Sequence, residues 1–344
     1  MRSSRLSPSP TGRAVAALSV GLLLVLAACG GDDEPGLKPK SDEGSPTNIA
    51  NAVNLDGIWP LTGEKLDGDL PEHPVYVVKM DNTAGAAPQV GLDQADLVVE
   101  ELVEGGLTRL AIFYYQDIPG AVGPVRSLRA TDIGVVKSVA ATVVASGAAR
   151  PTTRRLAAAD IMTTTEGADG FYRDDDRSAP YNLFFSLADV AAKPDGLWGA
   201  PENAYFAFGD GFEGDTPVSK ISAEFSAGHT TNWEFADGAW TRPGSFAQDG
   251  KDFQPDNILL LRVQTRDAGY VDGAGNPVPE TLLTGNGDAV LVHGDKAMKL
   301  TWAKPVPGSP LKLKNAQGKA IDMPVGRTWV ELVPSDGGNV TLSK

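Results

Sequence analysis

Glycine and proline set the limits on this chain. There are 39 of the first and 25 of the second in 344 residues, and they cut the apolar stretches into short runs. That punctuation favours many turns and short strands over a helical bundle. The runs are rich in β-branched residues. Val75–Met80 (VYVVKM), closed by Pro74 and by Asp81–Asn82, reads as a strand, and so does Leu107–Tyr115 (LTRLAIFYY). Ala95–Gly106 (ADLVVEELVEGG) fits two patterns. Its β-branched content favours a strand, whereas Leu97, Val98 and Leu102 could make a helical face. Arg126–Ala140 reads as a helix, Ala141–Ala148 as a buried strand, and Pro151–Asp160 as a helix with proline in its first turn.

Strand and helix thus alternate through the first half, which predicts a layered α/β unit over residues 54–215. Beyond about Asp215 the texture changes. Short β-rich runs alternate with Asp-Gly, Gly-Asp, Pro-Gly and Asn-Gly pairs, and Phe235–Trp240 looks like a hairpin. Residues 216–344 are expected to form a β-rich C-terminal domain. Trp233, Trp240, Trp302 and Trp329 lie inside these runs and are expected to anchor its core. An apolar fraction of 42% with 22% charged residues is enough for a substantial core.

The N-terminus carries an address. Arg2, Arg5 and Arg13 precede an apolar stretch from Ala14 to Ala27. That stretch is shorter than the ~20 residues needed to cross a bilayer, and it ends in small residues that suit cleavage. Leu26-Ala27-Ala28-Cys29 resembles the lipobox of bacterial lipoproteins. The resemblance implies a signal peptide over residues 1–28, and lipidation at Cys29 that anchors the protein to the outer face of the cell membrane. Cys29 is the only cysteine, so no disulfide framework or thiolate metal site is expected. Residues 29–53 are rich in Gly, Pro, Ser and charge and read as a flexible tether. The net charge is −14. Cleavage would remove three arginines and no acid, taking it to −17. Such a chain repels nucleic acid and an anionic bilayer surface alike, so no nucleic-acid partner is expected.

Several chemistries lack their residues. The three histidines, His73, His229 and His293, are isolated, and no metal-ligand spacing occurs. Neither a dinucleotide fingerprint nor a P-loop is present, and no G-x-S-x-G elbow exists. No cofactor and no metal are expected. Ser309-Pro310-Leu311-Lys312 matches S-x-x-K only formally, in a proline-rich connection. Asp174-Asp175-Asp176 lacks the glycine and glutamate of a calcium loop.

What remains is a set of charged and polar residues: Asp81 and Asn82, Glu100 and Glu104, Arg109, Arg126, Ser127 and Arg129, then Arg173 and Asn182. The segments ADLVVEELVEGGLTRLAIF, GAVGPVRSLR, FYRDDDRSAPYNLF, KLTWAKP and GRTWVELVP, which hold most of them, resemble the YerB-like family of bacterial lipoproteins. The likeness spans most of the chain beyond the tether and departs at Val99, where the family pattern leads one to expect an aromatic. It implies an extracytoplasmic protein of mixed α+β class: a layered β-sheet sandwich with helices in the N-terminal half, then a β-rich C-terminal part. It brings no reaction with it.

If Arg126 and Arg129 open a helix, they lie three residues apart on one face, at an end whose dipole opposes cations. Negative charge must then stand near them. Asp81, Glu100 and Glu104 could supply it internally. A ligand carboxylate or phosphate, such as a cell-wall or other anionic envelope component, could supply it from outside, with Arg109 and Arg173 in support. A hydrolase using Glu100 and Glu104 as acid and base is the rival, although on a strand the two would stand about 13 Å apart. A scaffold whose charges only hold the fold is the third reading.

Overall fold

The computed structural model describes residue 55 and residues 57–193 and 199–344. The expected signal peptide, Cys29 and the tether lie outside the described residues. The first half contributes β1 (Tyr76–Asp81), β2 (Leu97–Leu102), β3 (Thr108–Tyr114), β4 (Thr142–Ala145) and β5 (Met162–Thr165), with β6 (Phe171–Arg173) and β7 (Leu183–Phe185) as a separate pair. The second half contributes β8 (Thr216–Pro217), β9 (Lys220–Ser226), β10 (His229–Ala236), β11 (Ala239–Thr241), β12 (Asn257–Val271) and β13 (Pro277–Leu282). It continues with β14 (Gly285–His293), β15 (Lys296–Lys304), β16 (Lys312–Lys314), β17 (Ala320–Ile321), β18 (Thr328–Pro334) and β19 (Asn339–Ser343). The α-helices among the described residues are short: α1 (Asp132–Val136), α2 (Arg150–Ala158) and α3 (Leu187–Ala191).

Strands dominate, and one large sheet organises them. Its order is β17-β16-β15-β14-β12-β18-β2-β3-β1-β4-β5, with β13 added to β12 and β8 to β15. The boundary expected near residue 216 therefore falls inside a shared sheet. β18, from the end of the chain, lies parallel between β12 and β2, with Asn257 opposite Thr328 and Val330 opposite Val99. All described residues belong to one compact unit.

The ambiguous segment is a strand. All but the last residue of β2 are fully buried, and they alternate between two cores, as a strand sandwiched on both faces requires. Leu97 and Val99 join one core with Val77, Phe113, Leu259, Leu261 and Val330, covered by Val135, Val136 and Leu156 from the short helices. Val98 joins the other core with Val78, Ile112, Ile258 and Trp329. A second sheet, β11-β10-β9-β19, packs on that other face through Ile221, Ala223, Phe225, Trp233 and Trp240. The mixed α+β sandwich is thus present in coarse form, with far less helix than the alternating pattern suggests. Trp233, Trp240, Trp302 and Trp329 are all buried.

The long helix expected over Arg126–Ala140 is not formed. Its regular part is α1, followed by one 3-10 turn at Lys137–Val139. Arg126–Arg129 runs outside any helix instead, and Ala130–Thr131 turn into α1. Arg126 N–H donates to the Lys79 carbonyl at 2.8 Å, its own carbonyl accepts from Ser146 N–H at 3.0 Å, and Leu128 N–H donates to Gly147. Bonds to two neighbouring elements thus replace a helical ladder. Asp132 stops that run, because its carboxylate accepts the Arg129 N–H at 2.7 Å.

Candidate functional site

β1, β2 and β3 bring the charged residues together at one end of the sheet and divide them between its faces. Pairing places Glu101 and Asp81 opposite Arg109, so these three share a face. Glu100 points the other way, because successive strand residues alternate.

On the first face the deepest group is Lys79. Its ammonium stands 2.6 Å from Glu101 Oε1 and 2.7 Å from Asp132 Oδ1, with all three side chains shut from solvent. Burial opposes the Lys79 charge, but the Asp132 and Glu101 carboxylates outweigh it and raise the ammonium above its ordinary range. Burial raises the Glu101 carboxyl in spite of the lysine. Nearer the surface, Glu104 receives two arginines. Arg129 Nε donates to Oε2 at 2.8 Å and its Nη2 donates to Oε1, while Arg109 Nη2 reaches Oε1 at 3.1 Å. Burial disfavours the charge on Glu104, but the Arg129 hydrogen bond and the two cations win, and its carboxyl sits below the usual range. Arg109 is driven down to about 10, by burial first and by the neighbouring Arg129 cation second. It remains charged at neutral pH. Arg109 Nη1 and Arg129 Nη1 are spent on the carbonyls of Ser127 and Leu128.

Arg126 differs. Its Nε stands 2.8 Å from Asp81 Oδ2, and its guanidinium lies over the Tyr181 ring, 5.5 Å from the centroid. Its side chain keeps 23% of its exposure. Among the described residues its two terminal nitrogens take no hydrogen bond.

On the opposite face Glu100 is fully buried yet surrounded by donors. Oε1 lies within 2.7–3.0 Å of Thr108 Oγ1, His229 Nε2, Asn82 Nδ2 and Thr231 Oγ1. Burial penalises its charge, but hydrogen bonding and charge from His229, helped by Arg242, hold the carboxyl below its ordinary value. Glu331, beside Glu100 in the next strand, shows the reverse. Burial and the Glu100 charge push its carboxyl far up, so it stays protonated, with Trp233 Nε1 donating to Oε1 at 2.8 Å. Two neighbouring acids thus hold one charge, the usual outcome when like groups share a dry site. A polar cleft of about 200 Å³ opens over this cluster, lined by Asn82, His229, Thr231, Arg242, Ser245 and Phe246 among others.

Two family models match this architecture half by half. "Protein of unknown function (DUF3048) N-terminal domain" matches residues 61–198, and the DUF3048 C-terminal domain matches residues 221–330. The chain belongs to this YerB-like family. It is 27% identical over 295 residues to "Putative lipoprotein YerB" of Bacillus subtilis (strain 168), covering 80% of this chain and 86% of that protein. Its fold resembles the crystal structure of YerB protein from Bacillus subtilis, with a TM-score of 0.68 at 24% identity, over 83% of this chain and 99% of that one.

Against this fold the expected site divides. Asp81, Glu104, Arg109, Arg126 and Arg129 do gather, but not through one helix face: Arg126 turns to Asp81 and Arg129 to Glu104. Ser127 contributes its carbonyl to Arg109, while its hydroxyl lies 3.1 Å from that of Ser146. Glu100 and Asn82 belong to the other face, so Glu100 does not orient the arginines. Glu100 and Glu104 make their bonds on opposite sides of the sheet and share no space for a substrate. Arg173 stands on the β6–β7 pair, exposed, bonded to Glu166 and to Asn182 Oδ1 at 2.6 Å. Those two residues serve each other rather than the cluster.

Sequence reasoning missed Lys79, Glu101, Asp132, Thr231, Arg242 and Glu331. A lysine inside VYVVKM and a glutamate inside TWVELV were visible signals, since charge within a buried strand needs a partner.

Proposed function

We propose that this protein is a lipid-anchored, extracytoplasmic binding protein of the cell envelope that receives an anionic ligand at Arg126. The observation that carries the reading is the contrast among the three gathered arginines. Arg109 and Arg129 spend their donors on Glu104 and on carbonyls, whereas Arg126 keeps its terminal nitrogens unclaimed at the surface. Asp81 stands against the Nε edge of Arg126 as an ion pair, with its own Oδ1 accepting from Thr83 N–H at 3.0 Å, and the Tyr181 ring lies beneath the guanidinium. A fork held this way offers two parallel N–H groups to a carboxylate or phosphate. Arg109 and Arg129 behind it lend positive potential that Glu104 does not fully cancel.

Similarity to a protein named as a lipoprotein supports the anchor, and Cys29 is the residue to carry it. Phosphate and soluble wall fragments, titrated calorimetrically, test the receptor. Binding to the wild type and its loss in Arg126→Ala, with little change in melting temperature, is the expected result. Equal heats for both proteins overturn the reading. For the anchor, Cys29→Ser is expected to move the protein from the membrane fraction to the soluble one.

A further inference from the structure

The cleft on the other face uses none of the Arg126 machinery, and its chemistry is different. Its decisive feature is the order of three groups. Glu100 lies at the bottom, shut from solvent. His229 comes next, with Nε2 2.8 Å from Glu100 Oε1. The cleft comes last, lined by His229 and by Arg242. A carboxylate in contact with Nε2 fixes the proton there, because the acid can only accept. Nδ1 is then the basic nitrogen, and among the described residues it takes no hydrogen bond. Thr108, Thr231 and Asn82 hold the carboxylate so that it cannot rotate away. Protonated Glu331 behind it adds no opposing charge.

Arg242 completes the set. Its Nε and Nη2 bind Asp252 and Ser245, and its guanidinium lies over Trp329, 4.4 Å from the ring centroid. Nη1 takes no hydrogen bond among the described residues. The side chain is therefore rigid, with one donor uncommitted in a cleft that also holds an oriented imidazole.

We propose that this cleft is a general-base site for the hydrolysis of a small acyl ester. His229 is the base, Arg242 the group that stabilises the oxyanion, and Glu100 the positioning residue that fixes the tautomer. A water molecule in the cleft gives its proton to Nδ1 as its oxygen bonds to the acyl carbon. The carbonyl π pair moves to oxygen, and that oxyanion faces Arg242. When it collapses, the bond from the acyl carbon to the leaving oxygen breaks, and the proton on Nδ1 passes to the departing alkoxide. Acid and alcohol leave, and the imidazole returns to its starting state. Water is the only co-reactant.

The probe is 4-nitrophenyl acetate with the folded protein. Hydrolysis is expected to exceed that of free imidazole at the same concentration. It should fall at least tenfold in His229→Gln and in Arg242→Lys, and stay unchanged in His73→Ala. Glu100→Gln is expected to lower the rate and to shift the pH profile, where a purely structural role would leave the profile in place. Because the buried variant can fail to fold, a second measurement uses the wild type alone. Nitrogen-15 NMR is expected to show the His229 proton on Nε2. A proton on Nδ1, or a rate indifferent to His229→Gln, overturns the proposal. The Arg126 reading is untouched by either result.

Discussion

The two faces of one sheet end handle buried charge in opposite ways. The arginine face balances sign with sign: Lys79 with Glu101 and Asp132, Arg109 and Arg129 with Glu104, Arg126 with Asp81. The Glu100 face keeps one negative charge among hydroxyl, amide and imidazole donors, with the Arg242 cation nearby but not bonded to it, and removes the second by protonating Glu331. Charge pairing in a dry interior is costly to interrupt but adds little net stability. Charge held by hydroxyls, amide and imidazole leaves polar groups at the cleft wall within reach of a small ligand. The first arrangement is suited to fixing geometry. The second is suited to chemistry.

The contrast can be broken most violently at Lys79. Lys79→Met leaves two carboxylates facing each other without a cation, and a loss of about 3–5 kcal/mol is expected in urea unfolding. Glu100→Gln keeps an acceptor but loses the charge its donors were arranged for. It should cost about 1–3 kcal/mol in the same assay, and a loss equal to that at Lys79 would erase the distinction between the faces.

Proton dependence sharpens it further. Glu100 titrates lower when folded than when unfolded. Its stabilisation is therefore present above the unfolded value of 4.5 and is lost as pH falls through the folded value. Glu331 is raised, so its share is intact below 4.5 and drains away as pH rises. Glu331→Gln imitates the protonated acid. The variant should match the wild type in acid and exceed it in melting temperature at neutral pH, with the gap widening between.

The smallest effect belongs to Arg126→Ala. Its part-exposed pair with Asp81 should be worth no more than about 1 kcal/mol in thermal unfolding, although ligand binding is expected to vanish with it.

Much of the fold was legible because burial writes itself into residue choice. VYVVKM and LTRLAIFYY are strands at nearly the expected bounds, and Asp237-Gly238 turns the hairpin that its sequence proposes. The helix over Arg126–Ala140 failed at its start because Arg126 and Leu128 bond to the backbone of Lys79, Ser146 and Gly147, and no local pattern records a distant carbonyl. The site was half legible for a related reason. The residues cluster in sequence around β1, β2 and β3, and cluster in space as well. Which face each takes depends on strand parity, and that was open while Ala95–Gly106 could be helix or strand. Once it is a strand, Glu100 and Glu101 must part company. Partners such as His229, Arg242 and Glu331 come from the second half, and nothing in the chain alone shows that the halves share a sheet.

The central place of β18 affects how the chain can assemble. Until residues 328–334 have emerged and docked, β2 presents an open hydrogen-bonding edge with valines on either side of it, the kind of edge that recruits other chains. The seven residues of β18 therefore act as the keystone. A chain cut short by a premature stop before Thr328 should be sticky and short-lived rather than half functional, and a cell making this protein has reason to shield it until β18 docks.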